Sequence, residues 1–147
     1  MIGGESTLAV WIILAGIGLI VPVAFLVLFT VLTVGFRWGS GWQRLAKVHA
    51  AIAPPNVPLQ KWQTVRLGAV RYRRSATVGI HPDGLYLAVR LPFHPPLWIP
   101  WGEFGPPRET RIDLVTPATE MPIGHPPLAR LAVRRTLYEQ MAPYLSR

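Results

Sequence analysis

The stretch STLAVWIILAGIGLIVPVAFLVLFTVLTVGF, residues 6–36, contains no charged side chain. A helix needs about 20 such residues to cross a bilayer, and this run is longer. At about 1.5 Å per residue, residues 8–36 would reach roughly 43 Å, against a hydrocarbon core of about 30 Å. The surplus goes into tilt, a kink or emergence at the surface. Pro22 lies near the middle. It lacks an amide hydrogen and crowds the preceding turn, so a kink is expected there. The run is too short for two spans. A cleaved signal peptide would have basic residues in front, a shorter apolar run and a small-residue cleavage site. The charge in front is instead the acidic Glu5. The expectation is a retained single-pass anchor.

The flanks give its orientation. All 15 Lys and Arg follow the span, with six of the seven acids, so the rest of the chain carries about +9. The positive-inside bias then puts the N-terminus outside and the C-terminal part in the cytoplasm. Trp11 near one end, and Trp38 and Trp42 beyond the other, fit aromatic anchors at the two interfaces, with Arg37, Arg44 and Lys47 beside the inner one. The chain has no cysteine, which fits a reducing compartment and excludes a disulfide framework or a thiolate metal site. High Pro, Arg, Gly and Ala usage fits a GC-rich bacterial genome, hence a bacterial cytoplasmic (inner) membrane. The span lacks His, Asp, Glu, Lys and Arg, which argues against a proton relay or ion pathway through it. Gly16, Gly18, Pro22, Phe25 and Phe29 are the candidate positions for packing against other helices.

Beyond the anchor (residues 1–37) the sequence divides at residue 59. In residues 38–59, Trp42, Leu45, Val48 and Ile52 recur at helical spacing, with Ser40 as a candidate N-cap. This is a short amphipathic helix. Its apolar face would lie on the anionic leaflet or pack against the domain that follows, and its position after the anchor favours the membrane surface. Residues 53–58, rich in proline, end it as a stiff linker. Residues 60–147 form the basic cytoplasmic domain. Short β-prone runs at 62–67, 69–72, 76–80, 85–91, 97–99 and 111–116 are divided by turn signals. The clearest is His81-Pro82-Asp83-Gly84, where proline presets φ and Asp-Gly tolerates positive φ. Residues 127–144 read as a closing amphipathic helix. The fold class expected is α+β: a transmembrane helix, an interfacial helix, then a small, mostly antiparallel sheet or partial barrel with a C-terminal helix.

The runs SATVGIHPDGLYLAV (75–89) and PFHPPLWIPWGEF (92–104) carry a resemblance. They resemble uncharacterised bacterial single-pass membrane proteins with a pleckstrin-homology-like domain, in which a GLYL strand precedes an IPW strand and an acidic residue. Those positions here are Gly84 to Leu87, Ile99 to Trp101, and Glu103. The likeness covers roughly residues 38–105. It implies a small curved sheet capped by a C-terminal helix, and no reaction.

No catalytic constellation is legible. Three of the four histidines (His81, His94 and His125, but not His49) precede proline, and none has metal-ligand spacing to another His, Asp or Glu. Ser6, Ser40, Ser75 and Ser146 lack a nucleophile-elbow context. There is no phosphate-binding glycine loop. No enzyme activity, cofactor, metal or small-molecule substrate is therefore expected. Arg71-Tyr72-Arg73-Arg74 is the densest basic feature. It reads as a solvated strand edge that resists aggregation, as a contact for anionic lipid, or as a docking patch for a partner subunit. Nucleic acid is the least favoured partner, since no recognition motif is present. Two functions follow. One is an accessory subunit of a larger membrane protein complex, such as a respiratory or photosynthetic one. The other is a free-standing membrane-anchored module that binds anionic lipid or a peptide. On either, a tag placed after Arg147 resists protease added outside intact cells and is cut once the membrane is permeabilised. Digestion in intact cells would reverse the orientation.

Overall fold

The computed structural model describes residues 3–147, and of Phe36 and Arg37 the backbone alone. Two compact units emerge, the first ending at Val34 and the second being Gly35–Arg147. Helix α1 (Gly3–Gly39) runs without interruption through Pro22. Its segment Gly3–Gly35 is long and apolar enough to cross a membrane. The hydroxyls within it are already satisfied. Thr30 Oγ1 donates to the Leu26 carbonyl and Thr33 Oγ1 to that of Phe29, each at 2.8 Å. Such back-bonding removes the cost of a bare hydroxyl in hydrocarbon.

The second unit is an α+β fold. Helix α2 (Trp42–His49) leads into seven antiparallel strands: β1 (Leu59–Leu67), β2 (Val70–His81), β3 (Gly84–Val89), β4 (Leu97–Pro100), β5 (Arg108–Arg111), β6 (Pro117–Ile123) and β7 (Ala129–Arg134). Helix α3 (Arg135–Leu145) follows. The sheet order is β4-β3-β2-β1-β7-β6-β5, so two meanders join where β1 pairs with β7. The His81–Gly84 turn forms where its sequence predicts, though without positive φ at Asp83 or Gly84, with β2 and β3 paired from Ala76↔Val89 to His81↔Gly84. The sheet curls into a half-barrel around one core, which takes Val65, Leu67, Leu85, Leu87, Ile99, Met121 and Leu131 from the strands. Leu137 and Met141 of α3 and Trp42 and Leu45 of α2 complete it.

Two bulges bend the sheet. Trp62, at φ 61°, lies in a break of register on β1, and Arg74, at φ 49°, in one on β2. Such insertions sharpen the local twist and curl a flat ladder. Gly68 makes the β1–β2 turn at φ 58°, and a Cβ there would come within 2.8 Å of the Ser40 carbonyl. Glycine is required by both conformation and space.

Several sequence expectations are corrected. Residues 127–144 are not one helix, because 129–134 form β7. Leu128, Leu131 and Ala132 mimic helical spacing, but Ala129, Leu131 and Val133 alternate inward and pair with β1. Tertiary pairing overrides the local pattern. Residues 111–116 are not a strand but the end of β5 and a turn, while β6 was hidden by its prolines. Pro117 opens that strand, and Pro122 lies beyond Glu120, the last β6 residue paired with β5. The runs 69–72 and 76–80 belong to one strand, and Arg73-Arg74 is a bulge within it. Helix α2 stops at His49, and the amide of Ala51 then donates to the Pro96 carbonyl at 2.8 Å, beside β4.

The placement of α2 also differs. Trp42 is not an interfacial anchor, because its side chain is 0% exposed, as is that of Leu45. Trp42, Leu45 and His49 of α2 pack on the domain, the second of the two readings its sequence allowed, while Val48 and Ile52 of the expected apolar face are exposed. The indole Nε1 donates to the Pro95 carbonyl at 2.9 Å, and Ser40 Oγ accepts the amide of Trp42 at 3.2 Å, but the N-cap of α2 is Gly41, at φ 77°, and not Ser40 as its sequence suggested. Trp42→Ala is expected to destabilise the second unit by about 3–5 kcal/mol through the cavity it leaves. Thermal unfolding in detergent, followed by near-ultraviolet circular dichroism, would reveal this. An unchanged transition would show that α2 docks without it.

Candidate interaction surface

The strand registers line up one row of side chains across five strands. Arg71 of β2 pairs with Arg66 of β1, which pairs with Ala132 of β7, then Glu120 of β6, then Arg108 of β5. Leu67, Leu131, Val133 and Met121, their neighbours along the strands, point into the core. The row therefore lies on the outer face, where alternation puts every second residue. Arg130 and Arg134 flank Ala132 on the same face of β7 and are exposed.

Glu120 organises this face. Its carboxylate meets Arg66 at 2.9 Å, Arg108 at 3.2 Å and Arg130 at 3.4 Å. Arg66 also donates to Thr110 Oγ1 and to the Arg111 carbonyl. Glu120 is only 9% exposed, so it is itself hidden behind the guanidinium groups. Three cations share one anion. The face keeps a net positive charge while its arginines are held in place, and forked guanidinium groups suit phosphate or carboxylate oxygens.

Residues 112–116 fold back over this face. Ile112 is buried against Ala118 and Ala132, apart from the main core. Asp113 accepts the amides of Thr116 at 2.8 Å and Val115 at 3.1 Å, and the Thr116 hydroxyl at 3.1 Å. Arg111 donates to the Leu114 carbonyl at 3.1 Å. The turn is thus fixed at its base, yet Leu114 is 89% and Val115 80% exposed at its tip. With Ile112 and Asp113 they border an open depression of about 480 Å³ whose other walls are Arg66, Arg71 and Arg111.

No family model, curated protein or solved structure matches this chain. The site is therefore read from its own chemistry.

Of the predicted patch, the structure brings Arg71 to the arginine row and removes Tyr72 from the surface. Tyr72 is a correction: it points into the core, where its hydroxyl lies 3.0 Å from Ser40 Oγ and 3.3 Å from His94 Nε2. The Pro92 carbonyl can only accept, so His94 Nδ1, 2.9 Å away, donates to it. Burial raises the Tyr72 pKa against the lowering effect of the Ser40 bond. Rings of Trp42, Tyr72 and His94 meet edge-on with centroids 5.3–5.9 Å apart. This group fastens α2 and the 92–95 loop to β2. Arg73 and Arg74 are exposed on the bulge, the amide of Arg74 bonded to Thr64 Oγ1.

Arg44 and Lys47 are exposed on α2, and with Trp38 they border a second depression. Arg37 as an anchor lies outside the described side chains. Trp11, Phe25 and Phe29 are exposed on α1, and a Cβ built on Gly16 or Gly18 meets nothing within 4 Å. Among the described residues no three His, Asp or Glu side chains gather as metal ligands. His49 Nε2, buried, stands 4.0 Å from Glu103, and His81 Nδ1 3.7 Å from Asp83.

Sequence reasoning missed Arg66, Arg108, Arg130 and the Leu114–Val115 tip. The available signal was arginine alternating with apolar residues at 130–134, which was lost when that run was read as a helix.

The Asp113 pKa is held down to about 2, first by the amides of Thr116 and Val115, then by the Thr116 hydroxyl, with a smaller contribution from Arg71. A depressed carboxylate pKa stabilises the turn fully above the unfolded value of about 3.9, and that contribution is lost as pH falls through about 2. A carboxyl-carbon NMR titration should find Asp113 still ionised at pH 3, with Asp113→Asn weakening protection of the Val115 and Thr116 amides at neutral pH. Titration of Asp113 near pH 4 would show the turn to be unformed.

Proposed function

We propose that this chain is a non-catalytic, single-pass membrane protein serving as an accessory subunit of a larger membrane protein complex in a bacterial cytoplasmic membrane. Its helix packs among other spans, with the N-terminus outside. Its basic domain lies in the cytoplasm and ties their inner faces together. The observation that carries this reading is the arginine row, a rigid cationic face on a domain joined directly to a membrane-length helix. Such a face fits an acidic subunit surface, where complementary charge sets register and speeds encounter. The open flank at Gly16 and Gly18 supports close approach of a second helix. The two antiparallel meanders closed by a helix support the pleckstrin-homology-like reading of the domain. An energy-transducing assembly, respiratory or photosynthetic, is one setting that suits it.

The alternative is a free-standing module that binds anionic lipid or a peptide, and the apolar tip at Leu114–Val115 favours its lipid form. Purification in mild detergent through a C-terminal tag, with mass spectrometry, separates the two. The subunit reading expects one set of membrane proteins in fixed stoichiometry, lost on Arg66→Glu with Arg130→Glu. A solitary, monodisperse protein would overturn it.

A further inference from the structure

We propose that residues 112–116 form a second, peripheral contact with the membrane. Leu114 and Val115 would enter the boundary between headgroups and acyl chains, and Arg71 and Arg111 would engage the phosphates of anionic lipids. The inference rests on α1 crossing a membrane and stands apart from the choice between subunit and module.

Four observations converge on it. First, two adjacent aliphatic side chains are almost wholly exposed at the tip of a turn that is otherwise well anchored. A loose loop would hide them against the sheet, but the bonds to Asp113 and the burial of Ile112 hold them out. Second, cations rather than acids surround the tip. The nearby acid, Asp113, is engaged by its own turn and faces Arg71. A soluble partner with an apolar pocket would need no such ring, whereas aliphatic insertion within basic residues is the pattern of an anionic interface.

Third, this end of the domain touches residues 39 and 40, which follow the apolar window closely in the chain. Leu67↔Val70 and Arg66↔Arg71 are the last pairs before the β1–β2 turn. That turn touches Gly39 and Ser40 through Gly68. The apolar window ends at Gly35. Four residues then separate it from Ser40, so even fully extended chain, five steps long, would hold Ser40 within about 18 Å of Gly35. Fourth, the row behind the tip adds Arg108 and Arg130, so the field at the surface is cationic beyond the immediate ring. Each basic residue near an anionic leaflet contributes about 1 kcal/mol, and screening by salt weakens it within a Debye length.

The test uses the full chain, which has no cysteine. Val115→Cys carries a polarity-sensitive fluorophore, and Asp83→Cys, on the exposed β2–β3 turn, carries it as the control. Each protein is reconstituted in nanodiscs of phosphatidylcholine alone or mixed with phosphatidylglycerol, with nitroxide-bearing lipid as quencher. The expected result is a blue-shifted label at 115, quenched well beyond the control in anionic discs. Quenching should fall toward the control in phosphatidylcholine discs, in high salt, and on Arg71→Glu. Leu114→Ser should weaken it without affecting folding, since that side chain touches little else. Quenching at 115 no greater than at 83 would overturn the proposal, as would equal quenching in the two lipids. So would a label that responds only when a co-purified protein is present. A subunit set that survives loss of lipid quenching would leave the accessory role intact and remove this contact alone.

Discussion

The ladder between β1 and β7 is short, three residue pairs from Val65↔Val133 to Leu67↔Leu131, and everything else hangs on it. It joins two meanders that would otherwise be separate ribbons. One has four strands and the other three, and each alone would leave its inner face uncovered. Once joined, the inner residues of both meanders share one core. The same register fixes the outer face, because Arg66↔Ala132 is the middle pair of that seam. A slip of one residue would turn Arg66 inward and carry Val65 and Leu67 to the solvent side, so the core enforces the position of the charge.

A second constraint acts where the span meets the domain. The chain emerging at Gly39 and Ser40 is held against the β1–β2 turn by the requirement for glycine at position 68. It then enters α2, whose Trp42 is locked by its bond to Pro95 and by edge-on contacts with Tyr72 and His94.

Much of this was legible in the sequence, and the rest failed for physical reasons. The membrane-length helix and the His81–Gly84 hairpin are read from local signals, namely an uncharged run and a turn whose residues demand their backbone angles. Trp42 shows the limit of periodicity. The pattern at 42, 45 and 48 shows that a helix has an apolar face but not what covers it. Strand β7 fails because Leu128, Leu131 and Ala132 satisfy a helical template while Ala129, Leu131 and Val133 satisfy an alternating one, and only pairing with Val65 decides. The arginine row fails for a related cause. Arg66 lies 42 residues from Arg108 and 54 from Glu120 in the sequence and becomes their neighbour only through register. Of the run 71–74, Arg71 faces outward and Tyr72 inward, since one strand sends successive residues to opposite faces.

Glu120 has a further consequence, in entropy. A free surface arginine loses side-chain freedom when it docks, at about 0.5–1.5 kcal/mol for each one immobilised. Arg66, Arg108 and Arg130 have surrendered part of that freedom on folding, because a nearly buried carboxylate already fixes where their guanidinium groups stand. The disorder that an incoming anionic surface would have to remove is correspondingly smaller. A buried negative charge thus makes the surrounding positive face a better-prepared receptor for negative charge.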